Sequence, residues 1–331
     1  MEMGFLTKAV GEMDVSRRLA DAVQLARETG YRKITVIVDM LRRALRYGAG
    51  PMDYRLFELY TKTPRQRESY ITRGINNQLV KKWTDPRFCD RIDDKVQFHR
   101  YFSEFTGREF LPVTDMTPEA LKSFCEGKER ILYKPAHEGC GRGIEAISPG
   151  EWAEETLYAH LKEKREGLVE QMVIQHPVLT RINPDAVNTV RVVTIRDGKK
   201  CTPIFAFLRM GTRGRVVDNL NSGGIAAKIN LEDGSITLPA AGKDGKRHTV
   251  HPGTGTPIMG VTIPMWDRVL KVTEAASAVV PQVGYVGWDV AVRADDVILI
   301  EGNSYPGHDI LQLPAYTPDG FGLKPVVQPF L

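Results

Sequence analysis

The sequence predicts an α+β protein, on three observations. Residues 1–93 carry helical periodicity. Residues 94–173 alternate helices with short strands. Residues 174–331 are dominated by β-branched and aromatic runs that fold back as hairpins. At 331 residues the chain is long enough for two or three structural units. The three segments above are the expected boundaries.

In the first segment, "DVSRRLADAVQLARETG" places Val15, Leu19, Ala22, Val23 and Ala26 on one helical face and stops at Gly30. "ITVIVDMLRRALRYGAG" opens like a strand but continues like a helix. "DYRLFELY" and "RESYITRGINNQLVKKW" read as helices. No strand–GxGxxG–helix unit is present, which argues against a dinucleotide domain. In the second segment "DDKVQFHRYFSEFTG", "TPEALKSFCEGK" and "EWAEETLYAHLKEK" are helices, and "RILYKPA", "IEAIS" and "GLVEQMVIQ" are strands. In the third, hairpins are expected in "TVRVVTIRDGKKCTPIFAFLRMG", in "GGIAAKINLEDGSI" and in "YVGWDVAVRADDVILIEGN", before and after the helix "IPMWDRVLKVTEAASAVV".

Forty-five basic against 41 acidic residues give a net charge of +4, too balanced for a nucleic-acid binder. The four cysteines form no CxxC pattern, and no apolar run reaches the ~20 residues of a membrane span. A reduced cytoplasmic setting and no membrane span are the expectations. A homodimer is the base-rate expectation for assembly.

Five stretches carry chemistry. The last hairpin delivers Asp289 from one strand and Glu301 and Asn303 from the next. Glu301 and Asn303 are two apart and share a face, and three hard oxygens suit Mg2+. The plainer reading is a pair of surface acids. "YKPAHEGCGRGI" sets Lys134 before Gly139, Gly141 and Gly143, a loop whose backbone N–H groups can approach phosphates, or a flexible β-turn. "LVEQMVIQHP" can offer backbone to an adenine edge or be a core strand. "NTVRVVTI" carries Arg191, suited to phosphate or carboxylate oxygens. "DNLNSGGIAAKI" carries Asp218, Asn219, Gly223, Gly224 and Lys228, an anion-facing loop or a solvent hairpin.

In this order the pieces resemble the ATP-grasp superfamily. The wording "VEQ…QHP…NTVRVVT…GWDVA…IEGNSYPG" is most similar to its sugar-transfer-associated group, described as related to alpha-L-glutamate ligases. The resemblance runs from about Asp94 to Gln312. It implies an ATP-grasp fold with the nucleotide held between two α+β units, and ATP and Mg2+ as cofactors. By position, Lys95 and Lys134 match the nucleotide lysines, and Gly139, Gly141 and Gly143 the mobile loop over the phosphates. Glu170, Gln171 and Val173 match the adenine edge. His176 stands where a ribose ligand is sought and reads equally as a cap. Arg191 and Lys228 would be catalytic and face phosphates. Asp289, Glu301 and Asn303 would hold two Mg2+. The implied activity is an ATP-dependent carboxylate–amine ligase working through an acyl phosphate on small-molecule acid and amine substrates, with polysaccharide or cell-surface sugar decoration as the associated setting. The alternatives are a small-molecule kinase on the same scaffold and a non-catalytic nucleotide-binding module. Ser304, His308 and Gln312 are candidates for the acceptor side, and Tyr54, Phe57, Tyr60 and Tyr70 either pack a sugar ring or form core.

Overall fold

A computed structural model describes residues 23–27, 30–139, 141–212 and 223–331. Within it the chain divides into two compact units. One comprises residues 1–86 with 307–331, the other residues 87–306. Residues 307–331, expected with the C-terminal segment, therefore fold with the N-terminal one. The helix expected from Val15 lies outside the described residues apart from 23–27.

The first unit is helical. The ambiguous stretch at 34–38 is helix, Lys33–Tyr47, ended by Gly48 at φ +64°. A second helix, Arg73–Trp83, starts only at Arg73. The Thr72 hydroxyl accepts from Ile75 N and caps it, so the expected helix over 67–83 loses its first turns. Tyr54, Phe57 and Tyr70 are almost fully buried, and Phe57 and Tyr70 stack at 4.9 Å. They are core, as their helical spacing allowed. Gln312, with no exposed surface, binds residues 307–331 to this core. Its carboxamide oxygen accepts from Ile71 N (2.8 Å) and Leu323 N (3.0 Å), and its nitrogen donates to Ile71 O (2.9 Å) and His308 O (2.7 Å). One side chain thus saturates backbone groups of its own segment, at His308 and Leu323, and of Ile71, 241 residues away, which a local pattern cannot reveal.

Among the described residues the second unit holds eleven strands in two antiparallel sheets. The smaller has the order β1-β4-β2-β3, with β1 at Phe110–Pro112, β2 at Ile131–Lys134, β3 at Glu145–Ile147 and β4 at Leu168–Gln171. Its core is built from Ile131, Tyr133, Ile147 and Val169 packed on Leu121, Phe124, Leu157 and Leu161. The larger has the order β11-β10-β5-β6-β7-β8-β9: β5 Thr189–Asp197, β6 Lys200–Met210, β7 Ile225–Ile229, β8 Ala240–Ala241, β9 Arg247–His248, β10 Tyr285–Val292 and β11 Val297–Asn303. The first and third hairpins form as read. Asp197 pairs with Lys200 around Gly198 at φ +58°, and Val292 pairs with Val297. The second does not. Its turn closes through Asn230 N to Ser235 O, but β7 pairs with β8 at Ala226–Ala241 instead of with a returning strand.

One face of the larger sheet is apolar. Val190, Val192, Ala206, Leu208, Trp288, Val290 and Leu299 pack there in one core with Val269 and Ala276 of the helix Trp266–Ser277. Strand alternation then forces the intervening residues, Arg191 and Asp289 among them, onto the opposite face. Among the described residues no helix is long and apolar enough to cross a membrane.

Gln312→Ala is expected to destabilise the first unit by ~2–4 kcal/mol, because two buried N–H groups lose their acceptor. Urea unfolding of the full chain measures it, and an unchanged midpoint would contradict the assignment.

Candidate active site

The opening of the site is a register. On β10, Asp289 stands opposite Glu301 of β11 and opposite Arg191 of β5. Arg191 stands opposite Phe207 of β6, and Phe207 opposite Lys228 of β7. Directly opposed residues of antiparallel strands share a face. Glu301, Asp289, Arg191, Phe207 and Lys228 therefore form one row across five strands. At ~4.8 Å per strand, Lys228 lies about 14 Å from Asp289 along that row. Four of the sequence candidates are gathered on one surface, with Lys228 at its far end.

Asp289 is 2% exposed. Its Oδ1 accepts from Arg191 Nε. Its Oδ2 accepts from Arg191 Nη2 at 2.6 Å and from Arg209 Nη1 at 2.7 Å. Burial alone would raise its pKa, but the two guanidinium groups outweigh that and hold the carboxyl well below the usual range. Glu301 goes the other way. Burial, then the Asp289 charge, raises its pKa against the pull of Lys95, Lys134 and Arg191. Two glycines make room. A Cβ on Gly287 would lie 3.1 Å from Arg191 Nη1 and 3.2 Å from its Cδ. A Cβ on Gly302 would lie 2.6 Å from Ile92. Gly302 lets the apolar back of β11 seat against Ile92 and Phe98, while Glu301 and Asn303 face the other way. That is why an acid and an amide leave this strand two residues apart.

The metal question rests on this donor set. Among the described residues no group of three or more His, Cys, Asp and Glu side chains is arranged to hold an ion. Two carboxylates directly opposed on a poorly hydrated face, one with its proton affinity raised by the other, nevertheless suit a small divalent cation. Asn303, whose Oδ1 accepts from Tyr305 N at 2.9 Å, adds a third hard oxygen on the same face.

A second buried cluster centres on Glu170 of β4, 2% exposed. Lys134 Nζ lies 2.6 Å from Oε1. Oε2 accepts from Arg108 Nε (3.1 Å) and Nη2 (3.0 Å), and pairs with His99 Nε2 at 3.0 Å. Burial favours the neutral acid, but Arg108, Lys134 and His99 together hold Glu170 well below the ordinary carboxylate range. The His99 ring is lowered, first by burial and then by the Arg108 charge, against the pull of Glu170. Arg108 also donates to Leu299 O (2.6 Å) and Ile300 O (3.0 Å), so one guanidinium joins β4 of the small sheet to β11 of the large one.

The remaining candidates fall around these clusters. Lys95 N donates to Ala136 O (3.2 Å) and Lys95 Nζ to Glu138 O (2.6 Å), which ties the entrance of the glycine loop. Burial lowers its pKa, with Glu301 opposing. Gly141 (φ +71°) and Gly143 (φ +69°) take backbone angles that favour glycine, and a Cβ on Gly143 would meet Pro135 at 2.8 Å. Gly139 has open space around it. Gln171 N donates to Glu109 O (2.9 Å), and its side chain is exposed. Val173 follows β4, partly buried. His176 Nδ1 accepts from Val178 N (3.1 Å) and caps the helix Pro177–Ile182, which leaves Nε2 for any ligand. Asp218, Asn219 and Cys140 lie outside the described residues. On the expected acceptor side, Ser304 is held by Asp93 through both N and Oγ, and Gln312 is spent on backbone. His308 Nε2 pairs with Asp53 at 2.9 Å.

Sequence reasoning missed Arg108, Arg209 and His99. Arg209 is a lone charge in the apolar run "AFLRMG", and Arg108 and His99 sit beside apolar residues but next to a second charge, Glu109 and Arg100, in "FTGREFLPV" and "VQFHRYF". That interruption was the available signal. Their partners are 62, 80 and 71 residues away.

A family model described as sugar-transfer associated ATP-grasp matches residues 152–328, more than half of the chain. No curated protein matches the chain. Solved structures with similar folds include the ATP-grasp ligase PsnB complexed with minimal precursor (14% identity, TM-score 0.46, covering 75% of this chain and 62% of that one). They also include D-alanine–D-alanine ligase from Helicobacter pylori (10%, 0.44, 73% and 61%). A third is L-amino acid ligase from Bacillus licheniformis (9%, 0.41, 70% and 49%). The chain spans less than two thirds of each of these three.

Glu170→Gln is expected to cost ~3–5 kcal/mol at neutral pH, because Arg108 and Lys134 lose their buried counter-charge. The wild type should also be acid-labile. His99 is lowered in the fold, so unfolded chains take up protons first as pH falls below ~6.5. Glu170 is lowered too, so its stabilisation is present above ~4.3 and lost below. Thermal melts from pH 8 to 3 should fall in that window, with the lower part of the fall reduced in Glu170→Gln.

Proposed function

The chain belongs to the sugar-transfer-associated ATP-grasp family, and from that membership we propose that it is an ADP-forming, ATP-dependent carboxylate–amine ligase. The observation that carries the reading is the row Glu301–Asp289–Arg191 on one buried sheet face, beside Lys95 and Lys134. Two adjacent carboxylates and then a cation stand there, and a polyphosphate with metal would need both.

In this reading a carboxylate oxygen of the acid attacks the γ-phosphorus. The bond to the β–γ bridging oxygen breaks, ADP leaves with those electrons, and an acyl phosphate forms. The amine nitrogen then attacks the acyl carbon, inorganic phosphate leaves, the nitrogen loses a proton and an amide results. Both reactants of the first step are anionic, so positioning and charge neutralisation do most of the catalytic work. Arg191 and Lys228 face the phosphates, with Lys95 and Lys134 as further cations. The loop with Gly139, Gly141 and Gly143 covers them and excludes water from the acyl phosphate. Glu170, Gln171, Val173 and His176 border the adenosine. Glu301 and Asn303, with Asp289, would hold magnesium, which supplies charge neutralisation at the phosphate oxygens when bound. The family's description, sugar-transfer associated, supports a sugar-derived partner on one side of the amide.

Phosphate release from Mg-ATP tests this, with pooled amino and uronic acids and pooled amines supplied separately and together. Release that needs both pools and falls by about two orders of magnitude or more in Glu301→Gln is expected for a ligase. ADP formed with no free phosphate would replace the ligase by a kinase.

A further inference from the structure

We propose that Arg209, together with Arg191, gates Asp289, so that this carboxylate reaches a metal only after nucleotide has drawn the two guanidinium groups away. The proposal rests on the nucleotide-binding reading above and adds an order of binding and a residue.

Three facts carry it. First, both oxygens of Asp289 are already engaged. Arg191 takes both from β5, and Arg209 takes Oδ2 from β6 at 2.7 Å. A carboxylate has about four acceptor positions, and three are filled here. Second, Arg209 is far from home. Its strand lies two strands from β10, about 10 Å, and the residue opposite it on β5 is Thr189, short enough to be crossed. Arg209 lies two residues from Phe207 on the same face, and its side chain is largely buried there, 12% exposed. Third, the surrounding charge is positive. Lys95, Arg108, Lys134, Arg191 and Arg209 stand against Asp94, Glu170, Asp289 and Glu301, five cations to four carboxylates. Such a field repels a free divalent cation and attracts a triphosphate.

Guanidinium forks match phosphate oxygens as well as they match a carboxylate, and ATP brings about four negative charges. Arrival of the triphosphate therefore offers Arg191 and Arg209 an alternative anion. Their transfer exposes Asp289 beside Glu301 at the moment that phosphate oxygens are present to complete the coordination. Metal without nucleotide finds Asp289 closed.

Free Mn2+ in titrations followed by electron paramagnetic resonance reads this directly, without turnover. Wild type with Mn2+ alone should bind at least ten-fold more weakly than Arg209→Met. Adenylyl imidodiphosphate, a non-hydrolysable ATP analogue, should bring wild-type Mn2+ affinity up to that of the variant or above it. Asp289→Asn placed on Arg209→Met should remove the gain, which ties it to this carboxylate. Arg209→Lys keeps a cation without the fork and should lie between the two, and thermal melts establish that each variant is folded. Equal Mn2+ affinity of wild type and Arg209→Met without nucleotide overturns the gate, even where the analogue binds well. Failure of the analogue to bind wild type at all overturns the nucleotide reading, and the gate with it.

Discussion

Asp289 accepts from two guanidinium groups on a sheet face that is nearly dry, and the rest of the site is arranged around that fact. A lone carboxylate there would be neutralised by protonation, and a lone arginine would not be tolerated. The guanidinium groups hold the carboxylate ionised. Register fixes the geometry, since Asp289 and Arg191 are direct cross-strand neighbours and Glu301 stands on the other side. Gly287 then becomes a requirement, because any side chain at that position would crowd the arginine. The apolar face behind, with Trp288 at its centre and its indole N–H donated to Thr194, prevents a one-residue slip that would bury the charges in the core.

The second constraint is Arg108. Its guanidinium meets Glu170 on β4 and two carbonyls of β11. The strand expected beside adenine and the strand expected beside metal are therefore fastened by a single cation. Glu170 contributes less as a ligand than as the counter-charge that keeps Arg108 and Lys134 buried. A buried network of this kind adds little net stability over an apolar one, but it fixes which groups meet.

Much of the fold was legible because the larger sheet is amphipathic strand by strand. β-branched, aromatic and apolar runs located β5, β6, β10 and β11, and the two-residue spacing put Glu301 and Asn303 on one face; that Arg191 and Asp289 join them follows from the register. The second hairpin failed because a good turn at 230–235 does not guarantee a return strand when β8 is the available partner. The recruitment of residues 307–331 to the helical unit was invisible, since it depends on one glutamine saturating backbone groups far away in sequence. The same holds for the arginines. A lone polar residue in an apolar run announces a buried partner, but nothing local says which one.

The residues that follow the metal strand look, by sequence, like an acceptor site, and their bonding argues otherwise. Ser304 spends its N–H and hydroxyl on Asp93. Gln312 spends its carboxamide on four backbone groups. His308 gives Nε2 to Asp53, whose other oxygen accepts from Gly50 N and Arg73 N. Tyr54, Phe57 and Tyr70 are closed in the core. Recognition of an acceptor by these groups would require breaking contacts that hold their own units together, at a cost of about 1–3 kcal/mol for each buried polar group left unpaired. In the proposed ligase reading, an acceptor would therefore be recognised by residues other than those that follow Glu301 and Asn303.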